Sequence, residues 1–452
     1  MKAICINSEV VMHHYAGLNS IGSINADLKN GFLRAPYSEA ESEAIAYIEQ
    51  AAIDGGLLCR RDLAGNLIAE TPGTFSEWVE TGSHIDTVPG GGNFDGAAGV
   101  ISGLEALLAI HHSGTALKRG LRLRVWRGEE SATYGVTSIG SKAAFGALNP
   151  AALQQTYEGQ SLAEAMREQG VDPETVRSGL AAMPDAERDG ITAFLELHIE
   201  QGKVLETADT DIGIVSAIRG SKRSWITVSG TFDHSGATPM GVEFRQDANL
   251  AMAYMLVELD QLLHKANAEG VDLVQTSGLI NPSAKENSPV PLLDNAVTKV
   301  SGAAHFSFEV RGCSAPKVDR YCDQAFEVIR ETAARFGVSV EIDTFSDQAG
   351  IEELDSEIQR LLDTGCTKLG LSHLSLPSGA WHDAGTVAEQ LKSNGSPIPV
   401  GMIFIPCRRG ISHSPDELSS PEQITKGASL LATAMAEIAS NYRWWWFYSP
   451  PK

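Results

Sequence analysis

Hydrophobic and polar positions follow two different styles along this chain, and the switch between them marks its organisation. In the first style helical and extended patterns take turns. Ser38 followed by Glu41 reads as a capping-box helix start, Ile45, Ile48 and Ala52 share one helical face, and Gly55 and Gly56 supply a stop. Extended, β-rich runs follow at 78–83, 121–127 and 191–198, with a helical pattern at 99–112 between the first two. That alternation predicts an α/β fold, a mostly parallel central sheet with helices on both faces.

Between Arg219 and Arg335 the order becomes strand (224–230), long helix (247–266), two strands (271–275 and 304–311) and helix (317–335). This predicts an α+β sandwich, with helices on one face of an antiparallel sheet. A strand-like stretch at 338–344, a further helix, the run 399–405 and a capped helix from Ser420 then resume the first style. The reading is a domain at 219–335 inserted into one formed by 1–218 and 336–452. No internal repeat or low-complexity tract interrupts it.

A length of 452 residues agrees with two domains, since single cores stop growing well short of it. The formal net charge of −22 argues against a nucleic-acid partner, which needs clustered Lys and Arg. An anionic small-molecule substrate would have to be held by a few placed arginines or by metal ions, because the overall field repels it. The six cysteines form no CxxC pair and read as reduced, mostly buried thiols. Neither a secretory leader nor an apolar run of membrane-spanning length is visible, so the expected location is cytoplasmic, with no membrane partner. The aromatic run at 442–448 (YRWWWFY) reads as a packing or interface patch.

The stretch GSHIDTVPGGGNFDGAAG, residues 82–99, carries the most chemistry. His84 ends a predicted strand, Asp86 lies two residues on, and Asp95 sits in a glycine-rich loop just before a helix. In open α/β sheets, ligands gather beyond the carboxyl ends of the strands. Three other strand ends offer matching groups: Glu129 and Glu130 after 121–127, His198 with Gln201 at the end of 191–198, and His413 after 399–405. Imidazole and carboxylate together suit zinc, manganese, cobalt or nickel. Any one of these residues alone would be an ordinary surface group. Gly90, Gly92 and Gly96 miss the dinucleotide spacing, and no HExxH, GxSxG or Walker sequence is present.

Taken in order, GSHIDTVPGGGNFDGAAGV, ELHIEQG, HSGATPM, WHDA and GISHSPDE resemble the M20 metallopeptidase family over nearly the whole chain. The likeness is greatest to its N-carbamoyl-L-amino-acid hydrolase and allantoate amidohydrolase branch, which HIEQG and GISHSPDE mark. The resemblance implies a zinc-exopeptidase-like catalytic domain with an inserted lid and dimerisation domain, working as a homodimer with two divalent ions per subunit. His84 and His198 would hold one ion, Glu130 and His413 the other, and Asp95 would bridge them. Glu129 would be the general base acting on the bridging water, and Asp86 would orient the imidazole of His84. His234 matches a histidine that reaches across the dimer to an oxyanion, Arg223 and Arg311 match arginines near the substrate carboxylate, and Gln201 would contact a ureido group.

Three departures from the branch pattern bear on the substrate. Glu129 to Tyr134 reads EESATY where EEGVRF is common, Thr298 stands where an asparagine near the substrate is expected, and Trp381 precedes His382 where a glycine is usual. The implied activity is hydrolysis of a linear C–N bond, in an N-carbamoyl or related N-acyl L-amino acid. The alternatives are an aminoacylase or dipeptidase of the same family, and a catalytically silent binding protein on the same fold.

Overall fold

The structure is a computed structural model describing residues 3–177, 180–281 and 296–441, so the aromatic run at 442–448 lies outside the described residues. The chain divides into two compact units, Met1–Ser216 with Glu353–Lys452, and Ala217–Glu352.

The larger unit is built on an eight-stranded sheet in the spatial order Leu58–Arg61, Leu67–Glu70, Gly120–Trp126, Trp78–His84, Ile191–Ile199, Val400–Ile405, Ile212–Ile218 and His373–Ser378. Its four central strands, from Gly120–Trp126 to Val400–Ile405, run parallel. Their neighbours Leu67–Glu70 and Ile212–Ile218 pair antiparallel, so the sheet is mixed but mostly parallel. Every residue of Gly120–Trp126 and of Val400–Ile405 is buried, as expected of strands covered on both faces. The flanking helices include Ala97–His112, apolar almost all round, and Pro421–Ser440, which begins with a complete Ser420–Gln423 capping box.

The parallel register has one consequence for chemistry. His84 lies beside Trp126, and His198 beside Phe404, so the loops that follow these strands leave from one edge of the sheet.

The smaller unit has four antiparallel strands in the order Leu273–Thr276, Ala303–Gly312, Gly220–Ser229 and Ser339–Gln348. Helices Ala248–Ala268 and Ala315–Phe336 pack against it around Ile226, Val228, Phe306, Phe308, Met255 and Ile329. Here the boundary expected at 335 is corrected. The strand read at 338–344 belongs to this sheet, pairing with Gly220–Ser229, and the unit runs on to Glu352. Gly337, at φ +64, reverses the chain directly after the helix, and so short a link lays the strand against the helix it follows.

The helix start at Ser38 also differs in part. Ser38 Oγ accepts the Glu41 amide at 3.2 Å, but the Glu41 carboxylate does not return to Ser38. It is buried and accepts instead from the amides of Tyr37 and Gly128 and from Arg127. An interior arginine outcompetes a helix amide for that charge.

Candidate metal centre

Four strand ends supply the side chains. His84 closes Trp78–His84, Glu129 and Glu130 follow Gly120–Trp126, His198 stands one residue before the end of Ile191–Ile199, and His413 lies in the loop after Val400–Ile405. Asp95 enters from the turn before helix Ala97–His112. Gly96 makes that turn possible: its φ is +63, and a Cβ there would stand 2.5 Å from the His84 ring.

Asp95 presents its two oxygens to two different sets of groups. Oδ1 lies 3.4 Å from His84 Nε2 and 3.1 Å from His198 Nε2, while Oδ2 lies 3.3 Å from His413 Nε2. His413 Nε2 is in turn 3.1 Å from Glu130 Oε1. Bonds of about 2.0–2.1 Å in a tetrahedron put neighbouring donors about 3.3–3.4 Å apart, so these spacings fit cations at both positions. His198 Nε2 is buried and makes no hydrogen bond, although Asp95 Oδ1 is close. Proximity without hydrogen-bond geometry is what two lone pairs aimed at a common point produce. His198 Nδ1 faces the Ile199 carbonyl at 2.9 Å, which makes Nδ1 the donor to the backbone and leaves Nε2 as the nitrogen turned towards the donor group. His84–Asp95–His198 and Asp95–Glu130–His413 are accordingly two donor groups sharing one carboxylate.

Electrostatics favours the same fit. Asp86, Asp95, Glu129 and Glu130 are all buried within this one site, a concentration of negative charge that calls for cations. Burial alone would raise Asp95, yet His198, His413 and His84 hold it well below the usual carboxylate range. Hydrogen bonds to Asp95 and Glu130 push His413 up to about 11. Glu129 is raised well above an ordinary carboxyl by burial, offset in part by His84 and reinforced by Glu130 and Asp383.

Around the donors lies a set of supports. Asp86 accepts the Glu129 amide on Oδ1 and the Glu130 amide on Oδ2, both at 3.0 Å, while its Oδ1 stands 3.3 Å from His84 Nδ1. Thr137 and Ser138 hydroxyls hold Glu129 Oε1 at 3.2 Å. Sequence reasoning passed over Glu417, Ser412 and Glu196. Glu417 accepts the amides of Phe94 and Asp95 at 2.9 Å, and its second oxygen takes the Ser412 hydroxyl. Glu196 accepts from Ser83 and from the Ala384 amide. The available signal was that Glu417 closes GISHSPDE and Glu196 opens ELHIEQG.

Gln201 reaches this centre, its amide nitrogen 2.6 Å from Asp95 Oδ2. His382 is buried behind it, 4.4 Å from the His198 ring between centroids, with Nε2 at 2.8 Å from Ser378 Oγ. Trp381 folds its ring over Gly385 in the first turn of the helix Asp383–Ala388 that follows it.

The other expected residues belong to the smaller unit. Arg223 and Arg311 share Glu309, at 2.6 and 3.1 Å. His234 is exposed, paired with Lys299 in a short two-strand ladder, and Thr298 accepts the Ser235 amide beside it.

Residues 81–437 match the model of peptidase family M20/M25/M40. An N-carbamoyl-L-amino acid amidohydrolase of Geobacillus stearothermophilus is 32% identical over 431 residues, 94% of this chain and 97% of that protein. Allantoate amidohydrolase of Escherichia coli is 31% identical over 423 residues, 93% of this chain and 96% of its own length. A solved hydantoinase/carbamoylase family amidase from Burkholderia ambifaria superposes with a TM-score of 0.80 at 27% identity, covering 97% and 99% of the two chains. The matched segment contains all five converging donors, from His84 to His413, and on that footing the chain belongs to peptidase family M20/M25/M40.

Proposed function

We propose that this chain hydrolyses the linear C–N bond of an N-carbamoyl or related N-acyl L-amino acid, using two divalent cations per subunit. The observation that carries the reading is the divided carboxylate of Asp95, with His198 at 3.1 Å from one oxygen and His413 at 3.3 Å from the other. His84, Asp95 and His198 would hold one ion; Asp95, Glu130 and His413 would hold the second. Zinc is the expected occupant, and manganese, cobalt or nickel suit the same donors. Such ions, when bound, polarise a carbonyl and bring the pKa of water towards neutrality.

Glu129 would take the proton of the attacking water and deliver it to the departing nitrogen. Its burial gives the carboxylate the proton affinity that this shuttle needs. Asp86, Thr137 and Ser138 fix where it stands. His234 Nδ1 accepts the amides of Gly236 and Ala237 at 3.1 Å, so the neutral ring carries its proton on Nε2 and offers a donor to an oxyanion. Arg223 and Arg311 would pair with the substrate carboxylate, Thr298 would line the approach beside His234, Gln201 would meet the ureido group, and His382 would back the acyl pocket.

A homodimer through the inserted unit is supported by Leu250, Tyr254 and Val257, one apolar stripe on helix Ala248–Ala268 that is 44%, 48% and 55% exposed. No helix among the described residues is long and apolar enough to cross a membrane. The acidic chain with its unpaired cysteines fits the cytoplasm and no nucleic-acid partner.

EESATY, Thr298 and Trp381 favour a second reading, an aminoacylase or dipeptidase with the same ions. A metal-reconstituted activity screen over N-carbamoyl, N-formyl and N-acyl amino acids, scored for ammonia and free amine, separates the two. Ammonia release from carbamoyl substrates supports the first reading; free amine from acyl substrates alone supports the second. Binding of such compounds with no turnover would make the chain a silent binder.

A further inference from the structure

Gln201 and a cation at the second donor group would claim the same oxygen, Asp95 Oδ2. The Gln201 amide nitrogen stands 2.6 Å from Asp95 Oδ2, 3.3 Å from Ser412 Oγ and 3.4 Å from His413 Nε2. The atom beside Asp95 must be the NH2, since a carbonyl oxygen there would repel the carboxylate. Its other end, Oε1, is buried with no hydrogen-bond partner. Gln201 and His413 both sit at φ +56, a left-handed conformation uncommon outside glycine, so two strained backbones bring these side chains together. Asp95 Oδ1, by contrast, faces the imidazoles of His84 and His198, which are 2% and 1% exposed, whereas the His413 side chain is 50% exposed.

We propose that Gln201 gates the second ion position: its amide N–H and a cation compete for Asp95 Oδ2. The inference rests on the two-ion reading above. A cation at Asp95, Glu130 and His413 displaces the amide, so the second affinity is held below the first. Displacement also frees the NH2 end of the Gln201 amide, whose Oε1 is already without a partner, making the group available to a ureido substrate only once the second position is filled. The device therefore orders the events, first ion, second ion, then substrate.

The test is a Co2+ titration of the metal-depleted full-length protein by calorimetry, with bound metal counted after equilibrium dialysis. Gln201→Ala removes the amide. Gln201→Asn keeps an amide and tolerates the left-handed backbone, but is one methylene too short to reach Asp95, and it stands in should the alanine variant fail to fold. The wild type is expected to bind in two steps, the second weaker. Both variants should tighten the second step on the order of tenfold, the worth of one charge-assisted hydrogen bond, and leave the first unchanged. A second step that is unaltered or weakened in the variants overturns the gate while leaving the two-ion centre standing. Fewer than two ions on the wild type overturns both.

Discussion

The carboxylate of Glu417 accepts the backbone amide of Asp95 at 2.9 Å, across a separation of 322 residues. Its other oxygen takes the Ser412 hydroxyl at 3.0 Å and the His413 amide at 3.2 Å. One side chain thus fastens the loop of the shared donor to the loop of the second histidine. Glu417→Gln is nearly isosteric but turns one acceptor oxygen into a donor facing other donors. We expect it to weaken metal binding roughly 10- to 100-fold, as loss of an outer support commonly does, while far-ultraviolet circular dichroism stays unchanged. Metal retained after dialysis gives the answer.

Glu129→Gln separates proton transfer from metal binding. Asp86 holds the Glu129 amide, not its side chain, so the loop should keep its place. Turnover should fall by about 100- to 10,000-fold with metal content intact. Normal turnover would show that the base lies elsewhere.

His234 offers the complementary experiment. With Nδ1 occupied by two amides, only Nε2 can act as donor, and His234→Ala should lower kcat about 100-fold or more. If the donor serves the neighbouring subunit, mixing two inactive variants, His234→Ala and Glu129→Gln, should restore about a quarter of wild-type activity through hybrid dimers. Mixtures that stay inactive would place His234 in its own subunit's service.

Far from the centre, Glu187 links Arg60, Arg122 and Arg124. Burial would raise its pKa, but Arg124, Arg60 and Arg122 outweigh burial and bring it from 4.5 to about 2. Because the folded value is the lower one, the network's contribution is present above pH 4.5 and is lost as the pH falls towards 2. Allowing for the solvent at its edge, it amounts to about 1–2 kcal/mol. Glu187→Gln should therefore lower the urea midpoint at pH 7, and the gap to wild type should close in acid. A gap that is constant with pH would contradict the assignment.

The parts of this molecule legible in the sequence were those that chemistry and period fix locally. His84, Asp95, His198 and His413 were legible as a set through the motifs that contain them, and the register of His84 with Trp126 shows why the strand-end members lie at one sheet edge. What escaped depends on rotamers and on distant partners. Glu41 matched a capping box, yet Arg127 and the Gly128 amide hold its carboxylate. Ser339–Gln348 alternates like any half-covered strand, and period alone does not say which sheet it joins. Trp381 stood out as a large ring where a glycine is usual, and only the fold shows that the ring lies over Gly385. Glu417 stood in plain view at the end of a motif, and only the fold shows that it reaches back to residue 95.

The central claim is that the two oxygens of Asp95 serve two separate cations. Anomalous scattering at the zinc edge, from crystals grown with zinc, tests it most directly. The account predicts two peaks, one beside Oδ1 with His84 and His198, the other beside Oδ2 with Glu130 and His413. A single peak, or peaks away from Asp95, would contradict it.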